Sequence, residues 1–345
     1  MRRLLRVVPL LVWAAAAAIS WQRHGVPVLG DRMWPWLLTL LLAFSVTNLR
    51  RFARGLFVDW LPFIVALTVY DLLRGIADGR LLPAHARPQM WVDKYLFGFG
   101  SVPTVFLQRH LWDPARLHWY DYATWLVYTS HFFATPLLAA ALWLWAPARF
   151  RRYAVLVVVL SFAAMATYVV YPAMPPWLAS ETHVLPPLSR IVGVVTAHLP
   201  YLDGRALFEQ GTDWSNDIAA MPSLHEGLAL LFSITLWPLA GRIGRILLAL
   251  YPLAMAFALV YSGEHYAIEV VLGCVYAVAV IKAVDAVQAR WEQRRERSPL
   301  ASPVPVAAPV SLATRLPAEA TRRGIVHAST GAPTAPGSPR AGSGS

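Results

Sequence analysis

Cysteine is nearly absent from this chain: Cys274 is its single thiol among 345 residues. One thiol cannot close an intrachain disulfide, so a disulfide scaffold is excluded, and we expect Cys274 to be a small packing residue. Charge is scarce too, at 14% of residues, where soluble domains have about a quarter. With 57% hydrophobic residues and a mean hydropathy of +0.48, the chain is predicted to be an all-α polytopic membrane helical bundle.

Acidic residues are the scarcer of the two charged types: 19 Asp and Glu stand against 30 Lys and Arg, for a net charge of +11. Such an excess could indicate nucleic-acid binding. The arginines, however, occur in short groups beside apolar runs and not in a patch interleaved with aromatic residues. That distribution is typical of the positive-inside pattern of multi-pass membrane proteins, so no nucleic-acid partner is expected.

About eight apolar runs account for the high hydropathy and are predicted to cross the membrane. They cover residues 4–20, 34–46, 57–73, 123–145, 154–171, 225–239, 246–261 and 267–287. Several approach the roughly 20 residues that a helix needs to cross a bilayer. The first run could instead be a signal peptide, since 14–18 offers small residues for cleavage, but a first span is the interpretation we favour.

Basic residues cluster in alternate connections between these runs. The clusters are Arg50, Arg51 and Arg54, then Arg149, Arg151 and Arg152, then Arg242 and Arg245, and finally Arg290, Arg294, Arg295 and Arg297. Placing them in the cytoplasm puts both termini inside and leaves residues 75–122, 172–224 and 262–265 on the extracytoplasmic side. We therefore expect a multi-pass protein of the cell membrane. After about residue 298, Pro, Ala, Ser, Gly and Arg prevail, which predicts a disordered cytoplasmic tail.

Two stretches near the ends of apolar runs each contain a histidine. His265 and Glu269 are four residues apart, so on a helix their side chains lie on one face. The carboxylate can accept a hydrogen bond from one ring nitrogen and fix the tautomer, which leaves the other nitrogen free to attack or to take a proton. His225 begins another run on the same predicted membrane side, so the two imidazoles can meet, and His225 could act as a general acid.

The two long outer segments also differ from ordinary loops. The sequence YPAMPPW at 171–177 is rich in proline, which cannot continue a helix, and is expected to form a lid or rim. Aromatic and aliphatic residues in 75–122 indicate helices that lie along the membrane interface. Within that region and just before it, Arg74, Lys94 and Arg109 are candidates to bind phosphate oxygens.

These stretches together resemble a known family. The sequence MPSLH at 221–225 and the sequence GEHYAIE at 263–269 resemble the second and third motifs of the type 2 phosphatidic acid phosphatase superfamily. The segments 93–108 and 171–177 resemble features of its branch related to the inositol phosphorylceramide synthases, the inositolphosphotransferase branch. The resemblance covers roughly residues 71 to 273, and its motifs are specific as a set.

The resemblance implies a six-helix core with a phosphotransfer site at one membrane face. Carried over, it makes His265 the nucleophile of a phosphohistidine intermediate, Glu269 its orienting partner and His225 the acid for the leaving alcohol. Ser223, in the second motif, joins the candidate phosphate-binding residues, and no metal or other cofactor is implied. The predicted organisation is then N-terminal transmembrane spans at 1–56, a membrane catalytic domain at 57–289 and a basic tail at 290–345.

Three departures from the family pattern favour the synthase-like branch. The third-motif carboxylate is usually aspartate, whereas Glu269 is one methylene longer and reaches about 1.5 Å further. Leu259 stands where the phosphatase branch has an arginine six residues before the histidine. The basic first motif of that branch is missing as well, because no arginine lies between Lys94 and Pro103. Other basic residues must then bind the phosphate.

Several functions remain compatible with these residues. The leading hypothesis is a metal-independent membrane phosphotransferase that moves a phospho-headgroup such as phosphoinositol between lipid or glycolipid substrates. The alternative is a lipid phosphate phosphatase with water as acceptor. A transporter with a histidine proton relay is less favoured, since no internal repeat is visible, and a metal site at His225, His265 and Glu269 lacks a third neutral ligand. The expected substrate is a phospholipid or a polyprenyl or glycolipid phosphate; the oligomeric state is not determined by the sequence.

Overall fold

A computed structural model describes residues 4–24, 30–76, 82–98, 100–199 and 216–296. Within these ranges the chain is helical, without strands, which confirms the predicted all-α class. The helices are α1 (Leu4–His24), α2 (Gly30–Ser45), α3 (Leu49–Gly55), α4 (Leu61–Ile76), α5 (Arg87–Val92), α6 (Pro103–Leu111), α7 (Trp119–Trp145), α8 (Pro147–Val170), α9 (Pro176–Glu181), α10 (Ile191–Ala197), α11 (Leu224–Leu236), α12 (Arg242–Tyr261) and α13 (Ala267–Glu296). The predicted tail from 298 onward lies outside the described residues, and the predicted domain limits stay a prediction.

Five stretches of the described chain are long and apolar enough to cross a membrane. They are Met33–Gly75, Trp119–Trp145, Pro147–Val170, Arg242–Tyr261 and Ala267–Arg295, and the shorter apolar helices Val7–Arg23 and Leu224–Leu239 add to them. The chain is therefore a multi-pass membrane bundle. The predicted runs fall on these helices.

The first of the five stretches is folded back on itself. The Trp34 ring lies 6.2 Å from the Phe63 ring, whereas a straight helix would separate these residues by about 44 Å. The turn lies at Asn48, whose backbone is not helical and whose side chain accepts a hydrogen bond from the Arg51 amide, capping α3. The two predicted runs are thus separate passes, but Arg50, Arg51 and Arg54 lie on α3 and not in a loop.

The largest apolar core lies between α2, α4, α7, α8, α11 and α13. Its centre is aromatic: the Trp60 ring is 5.3 Å from Phe150 and 6.4 Å from Trp143, and all three side chains are buried. This aromatic centre lies at the end of the bundle where α7 ends and α8 begins. The polar residues described below lie at the opposite end, where α11 and α13 begin.

Helices α11 and α13 approach each other unusually closely at two glycines. A Cβ atom on Gly273 would lie 2.3 Å from the Ser223 carbonyl oxygen, and one on Gly227 would lie 3.1 Å from the Gly273 carbonyl oxygen. At the start of both helices, the Ser223 amide donates to the Glu269 carbonyl at 2.9 Å. The backbones can pack this tightly only because neither glycine has a side chain, and the contact aligns the first turns of the two helices.

Three segments between the spans are joined by backbone hydrogen bonds at that same end. The His85 amide donates to the Pro172 carbonyl at 2.9 Å, and the Ala173 amide donates to the Ile218 carbonyl at 2.7 Å. The Trp177 amide also donates to the Gly263 carbonyl at 3.0 Å. The proline-rich segment expected to form a lid or rim is thus attached directly to the turn that precedes α13.

Replacing Gly273 by Ala tests the close contact between α11 and α13. The added methyl would collide with the Ser223 backbone, so we expect the free energy of unfolding to fall by about 1–3 kcal/mol. The measurement is thermal unfolding of the detergent-solubilised protein. Gly75→Ala is the matched control, because that glycine is also within a helix and a Cβ there meets nothing within 4 Å. Equal melting temperatures for the two variants would contradict the proposed role of the contact.

Candidate active site

The structure brings His225 and His265 together, with 5.8 Å between the ring centroids. His225 lies in the first turn of α11, which Ser223 caps by accepting a hydrogen bond from the Glu226 amide at 3.4 Å. His265 lies two residues before α13, in a turn that Gly263 permits with a φ of 78°. The Leu259 carbonyl accepts from the amides of both Glu264 and His265, which fixes that turn.

Glu269 forms a hydrogen bond with the His265 ring. Its Oε2 atom lies 3.1 Å from His265 Nδ1 and also accepts the Tyr266 amide hydrogen at 3.1 Å. Both side chains are buried, Glu269 completely. An ionised carboxylate only accepts hydrogen bonds, so with Glu269 ionised this contact places the ring proton on Nδ1 and leaves the Nε2 lone pair free. The longer glutamate therefore reaches the ring with ordinary hydrogen-bond length.

His225 has a different environment from His265. Its ring stacks on Tyr128 at a centroid distance of 4.9 Å, and its Nε2 atom is buried with no hydrogen-bond partner among the described residues. A buried polar atom without a partner is costly, and such atoms in native proteins often mark functional sites. The Nε2 atom of His225 can therefore form a hydrogen bond with a group that enters the site.

A third histidine, His131 on α7, was not among the predicted site residues. Its ring lies 4.0 Å from the ring of His225, and both belong to the cluster of aromatic side chains around Tyr128. The sequence does contain a signal for it: Tyr128, His131 and Thr135 are spaced by three and four residues, so they lie on one face of the helix.

Arg190 was also missed by the sequence analysis. It precedes α10 and binds Glu264 through two hydrogen bonds, of 2.7 Å and 3.1 Å, while its guanidinium lies 4.4 Å above the Trp177 ring. Because Glu264 adjoins His265, this ion pair places a guanidinium next to the catalytic candidates. Arg190 stands in a loop with no helical or strand periodicity, so nothing in the sequence distinguishes it from the other arginines.

The basic candidates from the sequence lie at different places. Arg74, at the end of α4, lies over the Tyr70 ring at 5.8 Å, and its carbonyl accepts a hydrogen bond from the Asn216 side chain at 3.0 Å. Lys94 is half-buried, 5.7 Å from the Tyr95 ring, and Arg109 is exposed on α6. Ser223 is fully buried and caps α11, and its role in phosphate binding, like the others, stays a prediction.

Within the described ranges, no group of three or more His, Cys, Asp or Glu side chains has a geometry that could hold a metal ion. The polar residues at this end of the bundle instead form hydrogen-bonded pairs and rings in contact. The arrangement combines an oriented imidazole, a second imidazole and the Arg190 guanidinium. Such a set can bind an oxyanion and transfer protons at it.

Comparison with known proteins is consistent with this chemistry. The sequence model described as the PAP2 superfamily matches residues 106–283, just over half of the chain. A phosphoinositol dihydroceramide synthase from Bacteroides thetaiotaomicron is 26% identical over an alignment of 250 residues, and the match covers 68% of this chain and 77% of that protein. No solved structure matches the chain. These findings confirm the resemblance to the synthase-like branch: the chain belongs to the PAP2 superfamily.

Proposed function

We propose that this PAP2-superfamily chain is a membrane phosphotransferase that moves a phospho-headgroup, such as phosphoinositol, from a lipid donor to a lipid or glycolipid acceptor. The observation that carries the proposal is the pair of imidazoles 5.8 Å apart with Glu269 bonded to one of them. The relative named phosphoinositol dihydroceramide synthase favours this headgroup. Hydrolysis of a lipid phosphate, with water as the acceptor, is the second candidate, because the same site geometry serves either acceptor.

In the first step, Nε2 of neutral His265 attacks phosphorus and the bond from phosphorus to the leaving lipid oxygen breaks. His225 in its protonated form donates its proton to that oxygen, so the lipid part of the donor leaves as a neutral alcohol. The phosphohistidine ring is now cationic at the nitrogens, and the Glu269 carboxylate bonded at Nδ1 stabilises this charge. The requirement for an ionised Glu269 follows from this step.

In the second step, the acceptor hydroxyl attacks the phosphohistidine while neutral His225 removes the hydroxyl proton. The bond between phosphorus and Nε2 breaks, and the enzyme returns to its starting protonation state. Charge on the phosphoryl oxygens is highest in both transition states, so nearby cations lower both barriers. We assign this role to Arg190, which is bonded to Glu264 beside His265, and to Arg74, which the sequence analysis named as a candidate.

The position of the site suits a lipid substrate. His225 lies in the first turn of α11 and His265 just before α13, at the end of the bundle, so acyl chains can stay in the bilayer while the headgroup enters the polar cluster. The alternating arginine clusters favour an extracytoplasmic site in the cell membrane with both termini in the cytoplasm.

His265→Ala tests the nucleophile. We expect loss of headgroup transfer by on the order of 10³-fold or more, because the covalent intermediate cannot form. The purified protein is incubated with a phospholipid labelled in its phosphate, with and without a chelator, and products are separated after addition of inositol or a glycolipid acceptor. Chelator-insensitive transfer that the substitution abolishes is the expected result.

Label found only in water-soluble phosphate at every acceptor concentration would replace the transferase proposal with the phosphatase. Acid-labile, base-stable label on wild-type protein, absent from the His265→Ala variant, would identify the phosphohistidine. Full activity of the variant would contradict the mechanism in either form.

Arg190→Ala tests the arginine that the structure adds to the site. Loss of one preorganised cation at the phosphoryl group lowers kcat by about 10²–10³-fold, so we expect a decrease in that range. Arg109→Ala is the control, since that arginine is exposed on α6 and should change activity by less than about threefold. If Arg109→Ala is the more damaging of the two, the assignment of phosphate binding to Arg190 is wrong.

A further inference from the structure

Asp93 lies in the segment between α5 and α6, far in sequence from the two histidine motifs, and is completely buried. Its carboxylate accepts two backbone hydrogen bonds, from the Ala267 amide to Oδ2 at 2.8 Å and from the Ile268 amide to Oδ1 at 2.9 Å. These amides belong to the first turn of α13, where backbone donors have no partner within the helix. Asp93 thus caps the helix that carries Glu269, at the two residues between Tyr266 and Glu269.

Gln108, on α6, makes a similar set of bonds to backbone groups at the end of α12 and just before α10. Its Nε2 donates to the Ser189 carbonyl at 2.8 Å and to the Tyr261 carbonyl at 2.9 Å, and its Oε1 accepts the Ser189 amide hydrogen at 2.9 Å. Both amide hydrogens of the side chain are therefore used. Ser189 precedes Arg190, and Tyr261 is the last residue of α12, so Gln108 joins the backbone beside Arg190 to the turn that leads to His265.

We propose that Asp93 and Gln108 form a positioning clamp that sets the His265–Glu269 pair against Arg190. The proposal rests on the proposed function, since it assigns these two residues a part in the same phosphotransfer. Neither side chain touches the reacting atoms; each acts through backbone groups adjacent to residues of the site. The ion pair between Arg190 and Glu264 also joins the residues before α10 to the turn before α13. A shift of either part therefore changes the distance between the Arg190 guanidinium and His265.

Through the clamp, Asp93 contacts the start of α13 and Gln108 contacts the backbone beside Arg190. Misplacement of a catalytic group by about 1 Å can lower the rate by about 10²-fold, and the amides that Asp93 holds are within three residues of both His265 and Glu269. A negative charge at the start of a helix also interacts favourably with its dipole. Burial raises the pKa of the Asp93 carboxyl to about 6, against the lowering by its bonds from Ile268 and Ala267; assays at about pH 8 keep it ionised.

Four variants of the full-length protein, assayed for transfer from the labelled phospholipid, test the clamp. For Asp93→Ala we expect kcat to fall about 10²-fold with KM changed by less than about threefold, because the site is displaced but the lipid still binds. Asp93→Asn keeps an acceptor oxygen and should recover part of that loss. Gln108→Leu should lower kcat and also raise KM, since it releases the backbone next to Arg190.

Asp59→Asn is the matched control. Asp59 is a largely buried carboxylate that accepts hydrogen bonds from Trp143 and Arg151 at the other end of the bundle. The Asp59→Asn substitution should lower the melting temperature without changing kcat. If Asp59→Asn and Asp93→Ala lower kcat in parallel with their melting temperatures, Asp93 contributes only to stability and the clamp is refuted.

Hydrogen exchange measured by mass spectrometry provides a test that does not depend on activity. Asp93→Ala should accelerate exchange in peptides that contain the Ala267 and Ile268 amides, whereas Asp59→Asn should not. If the wild-type protein neither transfers nor hydrolyses a lipid phosphate, the proposed function fails. The exchange result still tests the clamp in that case. Unchanged exchange and unchanged kcat in Asp93→Ala would overturn it.

Discussion

The close contact between the first turns of α11 and α13 is the constraint on which the candidate site depends. Gly273 lies against the Ser223 carbonyl, and the Ser223 amide donates to the Glu269 carbonyl, so the two helix starts are fixed to each other by backbone atoms. His225 and His265 meet because each is within two residues of such a start. A side chain on Gly273 would separate the helices and, with them, the two imidazoles.

The second requirement is a polar cluster that is stable inside an apolar bundle. An isolated buried charge costs several kcal/mol, and three buried carboxylates here are bonded instead: Glu269 to His265 and a backbone amide, Glu264 to Arg190, Asp93 to two amides. Most of these bonds join the segments between spans to the helix starts. The segments 82–111 and 172–199 are therefore part of the site's architecture and are not merely connections between membrane helices.

The departures of this chain from the phosphatase-type motifs have a structural counterpart. Where that branch has an arginine on the helix before the histidine, this chain has Leu259, which is completely buried and whose carbonyl shapes the turn. A guanidinium reaches the same neighbourhood from a different segment, as Arg190, held by Glu264 and Trp177. Glu269, longer than the usual aspartate, still lies at hydrogen-bond distance from His265.

The sequence by itself determined the membrane class, the positions of the spans, the two histidines and the pairing of His265 with Glu269. Each of these follows from local patterns, namely runs of apolar residues and a separation of four positions on a helix. Only the tertiary structure decided that His131 lies against His225, that Arg190 and not Arg109 lies beside Glu264, and that Asp93 and Gln108 bind the backbone of the site. These contacts join residues 74 to 175 positions apart, and helical periodicity carries no information about which distant segments pack together.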